Sequence, residues 1–87
     1  MDLAEKIQAA LSSNKAIIGF RRSLKFIKSD KPQSIIIANN LPDSMRKSIE
    51  DAARLHKIKV EIFDGDSVSL GVACGKPFPI SVVVVKA

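Results

Sequence analysis

Eighty-seven residues, 46% hydrophobic and 26% charged, supply one small core and carry too much apolar side chain for a disordered polymer. A lone cysteine, Cys74, rules out an internal disulfide framework or a thiolate metal cluster and suits a reducing cytoplasm. The longest apolar run falls far short of the ~20 residues of a membrane span, and the acidic, amphipathic start MDLAEKIQ does not read as a signal peptide.

The net charge of +5 is unevenly spread. In the segment 15–31, Lys15, Arg21, Arg22, Lys25, Lys28 and Lys31 stand against Asp30 alone, so this segment carries the whole excess. A local surplus of that kind points to an anionic partner more strongly than a high isoelectric point does.

In chain order, Leu3, Ile7, Ala10 and Leu11 mark one face of a first helix ending near Ser12-Ser13-Asn14. Ala16–Gly19 reads as a short strand. Phe20, Leu24 and Ile27 fall at i, i+4, i+7 and predict a second helix over 20–28, stopped by Ser29-Asp30-Lys31-Pro32. Ile35-Ile36-Ile37, within 34–38, is a continuous apolar run, as expected of a strand buried on both faces. After the turn Asn39-Asn40-Leu41-Pro42, a third helix runs to about Lys57. Met45, Ile49, Ala52 and Ala53 face inward, and Arg46–Glu50 and Lys47–Asp51 are spaced for ion pairs on the outer face.

Lys59–Phe63 alternates polar and apolar, as an edge strand does. Asp64-Gly65-Asp66 turns the chain, and Ser67 is the expected cap of a short fourth helix ending near Gly75. Ile80–Val85 is a last strand, apolar but for Ser81 and therefore central. Helices and strands alternating without repeat or linker predict an α/β fold, a three-layer α/β/α sandwich with helices on both faces of a four-stranded sheet, in one domain over residues 1–87. The short connection before the last strand leaves its direction open, so the sheet is parallel or mixed.

Arg21 and Arg22 open the second helix, where the positive end of the dipole disfavours cations by ~0.3–1 kcal/mol each. Arg21, Lys25 and Lys28 repeat at i, i+4, i+7 as a basic stripe opposite the apolar face. A solvated helix face is the plain explanation, but it leaves cations at the wrong end of the helix. A bound phosphate resolves the conflict, because free amides of the first turn and guanidinium groups then converge on one anion. Nucleic acid is the partner this favours, and no helix-turn-helix or zinc module is visible.

The loop Gly75-Lys76-Pro77-Phe78-Pro79 adds a feature suited to RNA. Phe78, between two prolines, is either a plug beneath the loop or a rigid platform for an unpaired base. Asn40 is either a turn or cap residue or an amide presented to a base edge. The junctions holding these residues gather on one edge of an open α/β sheet if the last strand runs antiparallel, and then form one composite RNA site.

No catalytic, metal or cofactor constellation is found. His56 is alone of its type, and Cys74 takes an inward position that reads as core. GDSVS lacks the closing glycine of a nucleophile elbow. Gly75-Lys76-Pro77 lacks the upstream glycine and the Ser/Thr of a phosphate loop. Asp64 and Asp66 read as turn residues.

Three segments, NKAIIGFRRSLKFIK, IIIANNLPDSMRKSIEDAARLHKIKVEIF and SLGVACGKPFPISVVVV, span Asn14 to Val85 almost completely. They resemble the thirty-e proteins of the archaeal and eukaryotic large ribosomal subunit, part of the wider kink-turn-binding, L-seven-Ae-like superfamily. The resemblance implies the strand order 1-4-2-3, a mixed sheet with its fourth strand antiparallel, and RNA binding through the same junctions. It carries RNA-binding roles onto Gly19, Arg21 and Lys25 from the Gly-aromatic-basic run opening the second helix. Asn40 matches an Asn before the third helix, and Gly75, Lys76 and Phe78 match a Gly-Lys-x-Phe loop. Where the superfamily often has Asn-Glu this chain has Arg21-Arg22, which favours the ribosome over guide-RNA particles.

The expectation is a non-catalytic, cofactor-free protein of the cytoplasmic ribosome, monomeric when free, that contacts ribosomal RNA at a kinked internal loop and neighbouring ribosomal proteins. The expected RNA-binding set is Gly19, Arg21, Arg22, Lys25, Lys28, Asn40, Lys76 and Phe78. Its rivals are a kink-turn protein of another ribonucleoprotein and, from another class, a small α/β enzyme or an adaptor for phosphorylated protein.

Overall fold

The computed structural model describes residues 3–86. Helix α1 (Leu3–Ser12) leads to strand β1 (Ala16–Ile18), α2 (Phe20–Ser29), β2 (Pro32–Ile37), α3 (Asp43–Leu55), β3 (Val60–Ile62), α4 (Ser67–Ala73) and β4 (Val82–Lys86). The strands form one sheet in the order β1-β4-β2-β3. β4 runs antiparallel to β1 and β2, while β2 and β3 are parallel. The observed fold is thus the mixed α/β sandwich, with the strand order that the resemblance implied.

Side chains alternate across a strand, and this divides the interior into two cores. Ile36, Val83 and Val85 pack with Ile7 of α1 and Leu70 of α4. Ile35, Ile37, Val82 and Val84 pack with Ile27 of α2 and with Ile49 and Ala53 of α3. Cys74 belongs to the first core, where burial pushes its thiol above the ordinary range and keeps it protonated and inert. His56, at the end of α3, has Nε2 2.7 Å from the Ile27 carbonyl oxygen. A carbonyl only accepts, so the imidazole donates and ties α3 to α2.

Three helices end alike. Asn14, Lys57 and Gly75 take left-handed backbone, with φ of 59°, 56° and 70°. The next amides, of Lys15, Ile58 and Lys76, return to the carbonyls of Ala10, Ala53 and Gly71, as in a Schellman motif. α2 instead runs into extended backbone at Asp30. β2 then starts at Pro32, which pairs with Lys86 across an irregularity in the ladder. Proline is tolerated as the first residue of a strand, so Pro32 opens β2 as well as barring continuation of α2. On α3 the Arg46–Glu50 pair forms at 2.8 Å, but Asp51 is met by Arg54 at 3.7 Å and not by Lys47.

α4 is capped by Asp66, one residue before the serine expected from the sequence. Its carboxylate accepts the Ser69 amide at 2.9 Å. The chain then folds back along the helix. The Lys76 amide donates to the Gly71 carbonyl at 3.0 Å, and the Ile80 amide to the Ser67 carbonyl at 2.9 Å. A Cβ on buried Gly71 would run into the carbonyl oxygen of Phe78. Glycine at this position lets the 75–80 loop lie directly on α4, and β4 begins two residues later, at Val82.

Two predictions follow from α4. Gly71→Ala is expected to destabilise the protein in urea melts. The obstacle is backbone and cannot swing aside, so the ~1–3 kcal/mol cost of overpacking outweighs the ~1 kcal/mol that alanine gains over glycine inside a helix. Asp66→Ala should also destabilise, with a defined pH dependence. The hydrogen bond from the Ser69 amide lowers the Asp66 carboxyl below its ordinary 3.8. Its contribution is therefore present above that value and lost as pH falls through the folded-state value. Urea melts should separate wild type from variant at neutral pH and narrow that gap as pH falls through the folded-state value; a gap of unchanged size would remove the ionised cap.

Candidate nucleic-acid interface

Because β4 is antiparallel, its first residues lie beside the last residues of β1 and β2. Ile18 stands opposite Val83, and Ile37 opposite Val82. The Gly19 amide donates to the Val82 carbonyl and the Ala38 amide to the Ser81 carbonyl, both at 2.9 Å. The junctions β1–α2, β2–α3 and α4–β4 therefore share one edge of the sheet.

At the first junction Gly19 is the N-cap of α2, with φ 107° and ψ 152°, a left-handed conformation that favours glycine. Apart from Gly19 itself and its chain neighbours, no heavy atom lies within 4 Å of where a Cβ would stand, so the backbone faces open space. No side chain caps the first turn and no acid stands in it. The other helices carry Glu5, Asp43 or the Asp66 cap at their starts. Arg21 and Arg22 are exposed at this uncompensated positive end.

A groove opens between the start of α2 and the 75–81 segment. Gly19, Phe20 and Arg22 line one side, and Lys76, Phe78 and Ser81 the other. Phe78 is 52% exposed, so it is not the plug that one reading of the sequence allowed. Its carbonyl lies against Gly71, which fixes the backbone, and the half-exposed residue lines the groove.

Asn40 lies on the same edge but outside this groove. Its Oδ1 accepts the Ser67 amide at 3.0 Å, so it braces the start of α4. It does not cap α3, whose N-cap is Pro42 without a side-chain bond. The Asn40 side-chain NH2 retains donors for a further partner. Arg21, Lys25 and Lys28 are all exposed along one side of α2, but Lys25 and Lys28 border different grooves. Lys25 borders a groove along β1 together with Arg22. Lys28 borders a different one, between α2 and α3, with Asp51; it lies roughly 13 Å along the helix from Gly19 at 1.5 Å per residue.

The structure thus brings Gly19, Arg22, Lys76 and Phe78 together, sets Asn40 and Lys25 at the margins, and leaves Lys28 apart. Sequence reasoning missed Phe20 as a groove wall, because its helical spacing marked it only as inward. It also missed Ser81 and Gly71. A glycine inside a helical pattern was the one available signal, since such a residue costs stability unless something approaches closely. Among the described residues no group of three or more His, Cys, Asp and Glu is placed to hold a metal, and no helix is long and apolar enough to cross a membrane.

The chain matches the ribosomal protein L7Ae/L30e/S12e/Gadd45 family over residues 1–87. It is 33% identical to the large ribosomal subunit protein eL30 of Methanothermobacter thermautotrophicus, over 99% of this chain and 88% of that protein. Against eL30 of Zea mays it is 37% identical, over 91% of this chain and 70% of that protein. A solved structure of a Bacillus halodurans protein of unknown function superposes with a TM-score of 0.85, covering 97% of this chain and 83% of that one; at 20% identity it bears on the fold alone. The match along the whole chain and the identity to the eL30 proteins bear out the resemblance read from the sequence: this chain belongs to the ribosomal protein L7Ae/L30e/S12e/Gadd45 family.

Proposed function

We propose that the chain is a constituent of the large subunit of the cytoplasmic ribosome, and that residues 1–87 act as one domain binding a sharply kinked internal loop of ribosomal RNA. One observation carries this reading. Arg22, Lys76 and the half-exposed Phe78 line one groove that opens on the uncapped start of α2. The relatives named eL30 support the assignment to the large subunit, and the chain is not an enzyme.

In this proposal a phosphate sits at the start of α2, held by the Gly19-side amides, Arg21 and Arg22, with Lys25 and Lys28 following the backbone along the helix. Lys76 contacts a second phosphate. Phe78 stacks on a base that the kink has freed from its neighbours. Asn40 donates to a base edge or sugar at the margin. A bent RNA strand reaches all of these at once and a straight duplex does not, so recognition rests on shape more than on sequence. The free protein is a monomer, and other ribosomal proteins adjoin it in the particle.

Gel-shift titration of a kinked internal-loop RNA, a straight RNA duplex and a DNA duplex of equal length tests the proposal. The kinked RNA should bind tightest, and its affinity should fall steeply with salt as several phosphate contacts release counterions. Equal affinity for all three would reduce the protein to a nonspecific cation. Replacing Arg21 and Arg22 by Glu should weaken RNA binding severely while thermal melts hold, or rise by a few tenths of a kcal/mol as the helix dipole is complemented. A collapsed melt with RNA binding intact would assign the arginines to the fold. Phe78→Ala should lose about 1–3 kcal/mol of RNA affinity, the range for base stacking on an aromatic ring, with little change in a urea melt; full affinity in the folded variant would take Phe78 out of the site.

A further inference from the structure

The two edges of the sheet are protected differently. β3, at one edge, carries Glu61 at its centre, and that carboxylate pairs with Lys6 of α1 at 3.2 Å. A charge within an edge strand discourages another strand from adding. β1, at the other edge, is Ala16-Ile17-Ile18, with neither charge nor proline.

Its free hydrogen-bonding groups follow from the register. Residues 15 to 19 face 86 to 82 in order, and Lys86 to Lys15 and Gly19 to Val82 are hydrogen-bonded. Antiparallel bonding alternates, so Ile17 bonds to β4 as well, and the N–H and C=O of Ala16 and Ile18 point away from the sheet. A groove runs beside this edge. Ile17 and Phe26 give it an apolar wall, Arg22 and Lys25 stand on its rim, and Ser29 and Asp30 close one end.

We propose that this groove takes an extended, acidic segment of another protein, which adds to β1 as a fifth strand. Alternating donors and acceptors match a peptide backbone, whose side chains would then meet the apolar wall on one face. The rim selects charge: Arg22 and Lys25 attract carboxylates. A second copy of this chain would bring the same two cations against them, within a net charge of +5 per molecule, so self-pairing through β1 is opposed. A nucleic acid satisfies the rim but leaves the outward N–H and C=O groups without a matching ladder.

A fluorescein-labelled peptide of alternating valine and glutamate is the probe, titrated onto the full chain by fluorescence anisotropy and by amide NMR. It should bind, shift the Ala16 and Ile18 amides and slow their hydrogen exchange. A valine–lysine peptide should bind at least about tenfold more weakly, the ratio two exposed ion pairs supply. N-methylation of alternate backbone nitrogens of the valine–glutamate peptide should abolish binding, as should Ala16→Pro, which removes one outward donor. Should Ala16→Pro fail to fold, the N-methylated peptide still decides.

Equal binding of the N-methylated and unmodified peptides, absence of shifts at Ala16 and Ile18, or concentration-dependent dimerisation through these amides would each overturn the inference. So would a kinked RNA that shifts both amides when the peptide does not. Peptide binding by a protein that ignores kinked RNA would sustain this inference and defeat the RNA reading; the converse pattern would do the reverse.

Discussion

Two hydrogen bonds decide where β4 begins: Gly19 to Val82 on one side and Ala38 to Ser81 on the other. Both depend on β4 running against its neighbours. Reversed, the strand would bring its entry loop to the opposite edge, roughly 17 Å away for five residues at about 3.3 Å each. Phe78 and Gly19 would then never face one another. The antiparallel insertion also lets one strand serve both cores, with Val83 and Val85 turned to α1 and α4 and Val82 and Val84 to α2 and α3.

The groove built on that edge combines rigid parts with an unsatisfied one. The 75–80 loop is bonded to α4 at Gly71 and Ser67, and Asn40 ties the β2–α3 turn to the same helix start. Side chains held on such supports stay close to a productive geometry without help from the ligand. The start of α2 is left without a carboxylate and with two exposed arginines beside it. Local stability is weakened there by repulsion between cations and the helix dipole, and an anion relieves it.

Much of this was legible in residue order. Ile35-Ile36-Ile37 and the valines of 82–85 announced buried central strands, and the alternation of Lys59–Phe63 announced an edge. The cationic first turn of α2 stood out because it contradicts the dipole. Contacts made through backbone were not legible. Nothing in a side-chain pattern tells that the Phe78 carbonyl rests on Gly71, or that Asn40 reaches across to α4 instead of capping the helix that follows it. Asp66 and Ser67 are both good cap residues, and only the path of the turn selects the aspartate. Exposure of Phe78 was undecidable for the same reason, since it depends on how closely its loop approaches α4.

The order of assembly follows from the same strand. β1 and β2 are successive strands in the chain, yet they are separated in the sheet by β4, the last of the described elements. Ala16 must find Val85, a pairing across most of the sequence, and non-local pairings of this kind slow folding. Until β4 arrives neither core can close, and Ile35-Ile36-Ile37 presents a flat apolar strand open to the wrong neighbours. A nascent chain therefore lacks one wall of the groove until residues 82–86 have emerged and inserted, so capture of an RNA strand there would select molecules whose sheet is already complete.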